Sequence, residues 1–209
     1  MIFRDRSHAG LLLAEQLEPC RADLVLALPR GGVPVAAEIA ARLRLPLDVF
    51  VVRKLGVPGR EELAMGAIAS GGVRVLNHDV ILCLHIASSI IEAVAQREAA
   101  EVERRELEYR GERAPLDVRD RAVILVDDGL ATGSTMKAAI GALRPQHPRR
   151  IIVAVPVAAE ATRDEFRQIA DEIVCLEAPS DFVAVSAWYA DFSQTTDVEV
   201  RALLAGAAL

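Results

Sequence analysis

Two adjacent carboxylates, Asp127 and Asp128, follow the apolar run Ala122–Val126 and precede Gly129-Leu130-Ala131-Thr132-Gly133-Ser134-Thr135. Paired carboxylates suit two kinds of guest: a vicinal diol, whose hydroxyls donate to them, or a metal ion. The glycines at 129 and 133 let the backbone approach a ligand closely, and Thr132, Ser134 and Thr135 add hydroxyl donors. Met136, Ile140 and Leu143 then recur at i, i+4 and i+7, which predicts the buried stripe of a helix. The start of that helix offers unpaired amides and about half a positive charge, a setting for phosphate. Two acids beside a phosphate cradle would repel the anion unless they grip something else. A ribose 5-phosphate satisfies both halves, giving the diol to the acids and the phosphate to the loop.

A second strand, turn and helix start lies upstream. Asp23–Leu28 reads as an apolar strand, Pro29-Arg30-Gly31-Gly32 as the turn and Val33–Leu43 as the helix. Glycines 31 and 32 permit an unusual backbone, and the Arg30 guanidinium can meet phosphate oxygens two at a time. Pro46–Val52 reads as another buried strand, with the cations Arg53 and Lys54 at its carboxyl end, and Lys54 is the better candidate for an anion in the same crevice.

Together these residues resemble the signature of type I phosphoribosyltransferases: apolar strand, two acids, a Gly/apolar pair, then a Thr-Gly-x-Thr phosphate loop. The resemblance covers most of residues 21–176, and the group it fits best is the uncharacterised "predicted phosphoribosyltransferase" group. It implies roles residue by residue. Asp127 and Asp128 hold the ribose hydroxyls of phosphoribosyl diphosphate, and Ala131, Thr132, Gly133, Ser134 and Thr135 hold its 5-phosphate. Arg30, Gly31 and Gly32 hold the diphosphate on a loop that in the family often contains a non-proline cis peptide, and Lys54 assists. Asp127, Asp128, Arg30 and Lys54 are the implied catalytic set. Mg²⁺ is the implied cofactor, held mainly by substrate and water, so no side chain is assigned to it. The implied reaction transfers the phosphoribosyl group to an acceptor, a nitrogenous base being the expected class. The alternative is a module that senses phosphoribosyl diphosphate or a nucleotide without turnover. Where purine-specific members carry an acid in the loop, this chain has Ala131, which argues against purine salvage. Leu130-Ala131-Thr132-Gly133 is nearer to uracil-specific members, yet their glycine-rich segment is absent from 177–209.

Plainer readings stand beside this one. Asp-Asp-Gly can be a turn and helix cap. A two-component receiver also ends a strand in paired aspartates, but there the pair ends the first strand, whereas here it lies past the midpoint. A P-loop is excluded, since no Gly-Lys-Ser/Thr occurs.

The elements that must position these groups alternate as strands and helices. That pattern predicts an α/β fold: a doubly wound, mainly parallel sheet with helices on both faces and a small hood or cap. One domain, 1–209, is expected, with its core at 21–176, an inserted hairpin and long helix at 56–112 and a C-terminal cap at 177–209. A first helix over 7–18 has Ser7 as its cap. Gly56–Arg60 reads as a flexible loop, with Glu61 and Glu62 on solvated surface or near a metal or substrate. Leu63–Ala69 and Val73–Leu76 read as a hairpin, and 88–112 as a charged helix whose apolar stripe is interrupted by Glu98. Tyr109 and Arg110, at the end of that helix, are weaker candidates for closing over diphosphate. Pro145 should stop the helix 134–144, and Pro156 should end the strand Arg150–Val155. Residues 160–170 form a helix and Ile173–Leu176 a last strand. Phe182, Trp188, Tyr189 and Phe192 cluster in the tail, either as a base-stacking surface or as a hydrophobic cap. Thr196-x-x-Glu199 opens a final helix with a capping box.

Composition bounds the rest. A net charge of −6 with no basic tail argues against nucleic acid as a partner. No apolar run is long enough for a membrane span and no signal pattern opens the chain, so a cytoplasmic protein is expected. Cys20, Cys83 and Cys175 lack metal-ligand spacing and read as reduced thiols, and the four histidines are scattered. The expected partners are small-molecule substrates and a second copy of the chain in a homodimer.

Overall fold

The computed structural model describes residues 1–207. In chain order the elements are α1 (Arg6–Leu17), β1 (Leu24–Ala27), α2 (Gly32–Leu43), β2 (Leu47–Val49), β3 (Val52–Val57), β4 (Arg60–Ala69), β5 (Val73–Leu76), α3 (His78–Cys83), α4 (Ser88–Arg110), β6 (Ala122–Val126), α5 (Ser134–Leu143), β7 (Arg150–Val157), α6 (Glu160–Ile169), β8 (Glu172–Glu177) and α7 (Asp197–Gly206). Five strands form a wholly parallel sheet in the order β2-β1-β6-β7-β8. The unbroken apolar runs follow from burial on both faces. Val25, Ala27, Ile124, Val126, Ile152 and Ala154 face a core shared with α1, α2, α4 and α7. Leu24, Leu26, Val123, Leu125, Ile151 and Val153 face a second core closed by α5 and α6.

The strand order reverses between β1 and β6, which are neighbours in register from Leu24 opposite Val123 to Ala27 opposite Val126. One connection leaves β1 toward β2 and the other leaves β6 toward β7. The carboxyl ends of these two strands therefore bound a crevice, the place where open α/β sheets take ligands. Both glycine-bearing loops start there.

The remaining strands form a separate antiparallel sheet, β3-β4-β5, and here the sequence-based boundaries need correction. Pro46–Val52 is not one strand: β2 ends at Val49 and Val52 begins β3. Arg53 and Lys54 consequently lie inside a strand and point to opposite sides of it. Gly56–Arg60 is not a flexible loop. It is the end of β3 and a tight turn at Pro58–Gly59, with Val57 paired to Arg60 and Gly59 at φ +78°. This sheet is held from both sides: Leu55, Val57 and Met65 pack in the core that contains Ile91 and Val94 of α4, whereas Val52, Ala69, Val73 and Val75 pack with the α5 side.

Smaller corrections come mostly from side-chain partners that periodicity does not register and, for β7, from continued pairing with β8. Asp5, not Ser7, caps α1, its Oδ1 accepting from the His8 amide at 2.7 Å. β7 runs on through Pro156, past Ala154, the last residue paired with β6. Helix α3 has no counterpart among the expected elements; Asn77 caps it through the Val80 amide. Glu98, the apparent break in the α4 stripe, is buried and accepts from Arg53 Nε at 2.9 Å and Arg97 Nε at 3.0 Å. The capping box at Thr196 and Glu199 is present. Among the described residues no helix is long and apolar enough to cross a membrane.

Candidate functional site

Asp127 and Asp128 leave the carboxyl end of β6 directly after Val126. Asp127 Oδ1 accepts from the Asp128 amide at 2.9 Å. Asp128 Oδ2 accepts from Arg6 Nε at 2.8 Å, and Tyr189 donates its hydroxyl to the Asp128 carbonyl at 2.6 Å. Burial, together with the neighbouring Asp128 carboxylate, holds Asp127 well above the usual carboxylate range. Burial also raises Asp128, against the opposing pull of the Arg6 guanidinium. Two adjacent acids that resist ionising together gain most from a guest that donates hydrogen bonds or carries positive charge.

The turn after β1 is pressed against this pair. A Cβ on Gly31 would collide with Asp128 Oδ2, and one on Gly32 would stand 2.6 Å from the Val126 carbonyl oxygen. Glycine is required at both positions by the close approach of the two loops. The Pro29–Arg30 peptide is cis, as the resemblance implied. Arg30 lies 3.7 Å from Asp197 Oδ2 at the first residue of α7, and Asp197 Oδ1 accepts from the Tyr109 hydroxyl at 2.7 Å.

The loop after the acids is pinned at its start and wound into α5 at its end. The Leu130 amide donates to the Val157 carbonyl at 2.9 Å, and Thr162 Oγ1 donates to the Ala131 carbonyl at 2.6 Å. Gly133 caps α5 in the left-handed region, φ +66°, where a Cβ would strike the Phe166 ring. Ser134 and Thr135 open α5, and the Ser134 amide donates weakly to Thr132 Oγ1 at 3.4 Å. The hydroxyls of Thr132 and Thr135 are exposed and available to an anion at the helix start.

The two strand cations part company. Lys54 lines a cavity of about 680 Å³ with Ser134 and Lys137, and among the described residues no hydrogen bond or ion pair engages it. Arg53 turns the other way, to Glu98. Tyr109 and Arg110 do not close over an anion. Arg110 is buried against Asp48, with Nε 3.0 Å from both carboxylate oxygens, and tethers α4 to β2. Tyr109 tethers α4 to α7, and burial pushes its hydroxyl up to about 12. Glu61 accepts from the Gly59 amide in the β3–β4 turn, while Glu62 lines the cavity that Lys54 faces. In the tail, Tyr189 packs on Phe3 and Phe192, with ring centroids 5.4 and 5.0 Å apart, and Phe182 and Trp188 pack on the same cluster. The cluster is a hydrophobic cap that seals the N-terminal segment onto the tail.

Arg6 was not singled out in the sequence. Its side chain spans the acids and the cap, with Nη1 donating to the Ser193 carbonyl at 2.7 Å and the guanidinium 3.9 Å from the Phe192 ring centroid. Nothing local marks it, since its partners lie 122 and 187 positions away.

Residues 13–193 match the phosphoribosyl transferase domain family. The chain belongs to this family. As a phosphoribosyl transferase domain it is 45% identical over 205 residues to proteins from two Mycobacterium tuberculosis strains (CDC 1551 / Oshkosh and ATCC 25618 / H37Rv), each provisionally named a phosphoribosyl transferase. The match takes in 97% of this chain and 46% of each relative, so the chain spans about half the length of those curated relatives. The crystal structure of TT1426 from Thermus thermophilus is 45% identical, with a TM-score of 0.90 and all of both chains covered. The fold described above is therefore shared with a solved relative along its whole length.

Proposed function

We propose that this chain transfers the 5-phosphoribosyl group of phosphoribosyl diphosphate to a nitrogenous acceptor and releases diphosphate. The observation that carries the proposal is the packing of two glycine turns around the Asp127–Asp128 pair at the carboxyl ends of β1 and β6. On this reading the two acids hold the ribose hydroxyls, each charge-assisted bond being worth roughly 1.5–3 kcal/mol. Residues Ala131–Thr135 and the first turn of α5 hold the 5-phosphate, while Arg30, Gly31, Gly32 and Lys54 hold the diphosphate.

The step breaks the bond between the anomeric carbon and the diphosphate oxygen, whose electron pair leaves with diphosphate. The acceptor nitrogen supplies the pair for the new bond and gives up its proton. Positive charge gathers on the sugar ring meanwhile, and the field of the two acids favours it. The chain's part is orientation and charge stabilisation, and no protein nucleophile is needed.

Among the described residues no three His, Cys, Asp or Glu side chains converge as a metal cage. The hard oxygens of Asp127 and Asp128 go to the ribose hydroxyls on this reading, so a Mg²⁺ here would take its ligands from the substrate and water, with the two acids close by to favour its charge. When bound, the ion neutralises charge on the leaving group.

The test is diphosphate release from phosphoribosyl diphosphate and Mg²⁺ across a panel of bases, amines and small nucleophiles, with Asp127→Asn/Asp128→Asn as control. Acceptor-dependent release that the double variant loses supports the proposal. Binding that the variant abolishes, without release for any acceptor, replaces it with ligand sensing. An absence of binding removes both readings.

A further inference from the structure

We propose that Arg6 is a positioning residue of the ribose site, fixing Asp128 so that the acid pair presents one uncommitted oxygen to each of two vicinal hydroxyls. The inference rests on reading Asp127 and Asp128 as diol ligands and adds a residue that no motif in the chain contains.

The four carboxylate oxygens divide evenly. Asp127 Oδ1 is taken by the Asp128 amide at 2.9 Å, and Asp128 Oδ2 by Arg6 Nε at 2.8 Å. Asp128 Oδ2 is also the oxygen that the Gly31 backbone walls in, because it is the atom that a Cβ there would strike. Asp127 Oδ2 and Asp128 Oδ1 accept no hydrogen bond among the described residues. Two acceptors remain for two hydroxyls.

Arg6 holds Asp128 firmly because Arg6 is itself held. It is the first residue of α1, next to the cap Asp5. Its Nη1 donates to the Ser193 carbonyl at 2.7 Å, and its plane lies against Phe192 at 3.9 Å. Its side chain is 11% exposed and that of Asp128 16%. The Asp128 backbone is fixed from the same tail, by the Tyr189 hydroxyl at 2.6 Å. With its carbonyl and one carboxylate oxygen both tied, the Asp128 carboxylate cannot turn freely about its own bond. A ligand that needs both hydroxyls recognised then meets acceptors already aimed.

The experiment is calorimetric titration of ribose 5-phosphate, 2-deoxyribose 5-phosphate and inorganic diphosphate into the wild-type chain, Arg6→Gln, Arg6→Lys and Phe192→Leu. Arg4→Gln serves as a nearby control, since among the described residues the exposed Arg4 side chain pairs with Asp5 alone. The wild type should prefer the ribose sugar. Arg6→Gln should lose roughly tenfold of that preference, with diphosphate affinity unchanged. Arg6→Lys, which keeps the charge without the fork, should fall between the two, and Arg4→Gln should match the wild type. If Arg6→Gln does not fold, Arg6→Lys and Phe192→Leu carry the test, both with a reduced preference. A wild-type preference in every folded Arg6 and Phe192 variant overturns the inference and leaves Arg6 a purely structural tie. A wild-type chain that binds both sugars equally overturns instead the reading of the acids as diol ligands.

Discussion

Asp127→Asn should make the folded chain more stable at neutral pH while abolishing ribose binding. The half-buried side chain sits beside a second carboxylate, and its proton affinity is raised well above that of a free aspartate. A folded state that holds a proton more tightly than the unfolded chain loses stability as pH rises through the interval between the two pKa values. The cost is absent below the unfolded value of about 4, where both states are protonated, and complete above the folded value. Each pKa unit of the rise corresponds to about 1.4 kcal/mol at neutral pH, and in a chain of this size each kcal/mol moves Tm by about 2–4 °C. Asparagine removes the charge and keeps an oxygen to accept the Asp128 amide. Asp128→Asn should gain less, because Arg6 loses a charge-assisted bond worth roughly 1.5–3 kcal/mol that offsets part of the relief. Calorimetric melting at pH 7.5 and pH 4 tests the pair: Asp127→Asn melts above wild type at pH 7.5, the gap closes at pH 4, and Asp128→Asn shows a smaller gain than Asp127→Asn. An Asp127→Asn Tm at or below wild type at pH 7.5, or a gain that persists undiminished at pH 4, refutes the reasoning.

Three further outcomes are expected. Gly133→Ala forces a side chain into the left-handed region and against Phe166, so it should cost at least about 1–2 kcal/mol in Tm-derived stability and weaken phosphate binding by titration. Lys54→Gln should lower inorganic diphosphate affinity roughly tenfold at unchanged Tm, whereas Arg53→Gln should lower Tm at unchanged affinity, since Arg53 neutralises buried Glu98 and Lys54 does not. Arg110→Met strands the buried Asp48 carboxylate and should cost about 3–5 kcal/mol in denaturant melts without altering diphosphate affinity.

The parallel sheet was legible because a strand buried on both faces has to be written as a continuous apolar run, and Ala122–Val126 and Ile151–Val155 are such runs. The acids and both glycine turns were legible for a related reason: each interrupts a run with residue types that packing alone would not choose. What escaped the sequence was set by distant partners. Sequence alone favours Lys54 over Arg53 as an anion ligand, but only β3 shows where each goes, Arg53 to Glu98 and Lys54 to the cavity beside Ser134. Glu98 looked like a break in an apolar stripe because its compensating guanidiniums lie on another strand and at a neighbouring position. Arg6 carries no local signature, and Tyr189 stands out only as one of an aromatic cluster, yet they are the groups that grip Asp128.

The seam between the two ends of the chain has a consequence for the order in which the molecule is completed. Phe3 pairs with Tyr189, and Arg6 reaches both Asp128 and Ser193. During synthesis the strands β1 and β6 emerge and can pair long before residue 193 exists. The sheet strands are thus available before the tail, whereas Asp128 has its full set of restraints only once the tail lies over α1. Contacts spanning such sequence distances are slow to close. A nascent chain halted after β8 would carry the sheet and both glycine turns, but the Asp128 side chain would still lack the tail contacts that hold it, so its shape would come before the fixing of its acid pair.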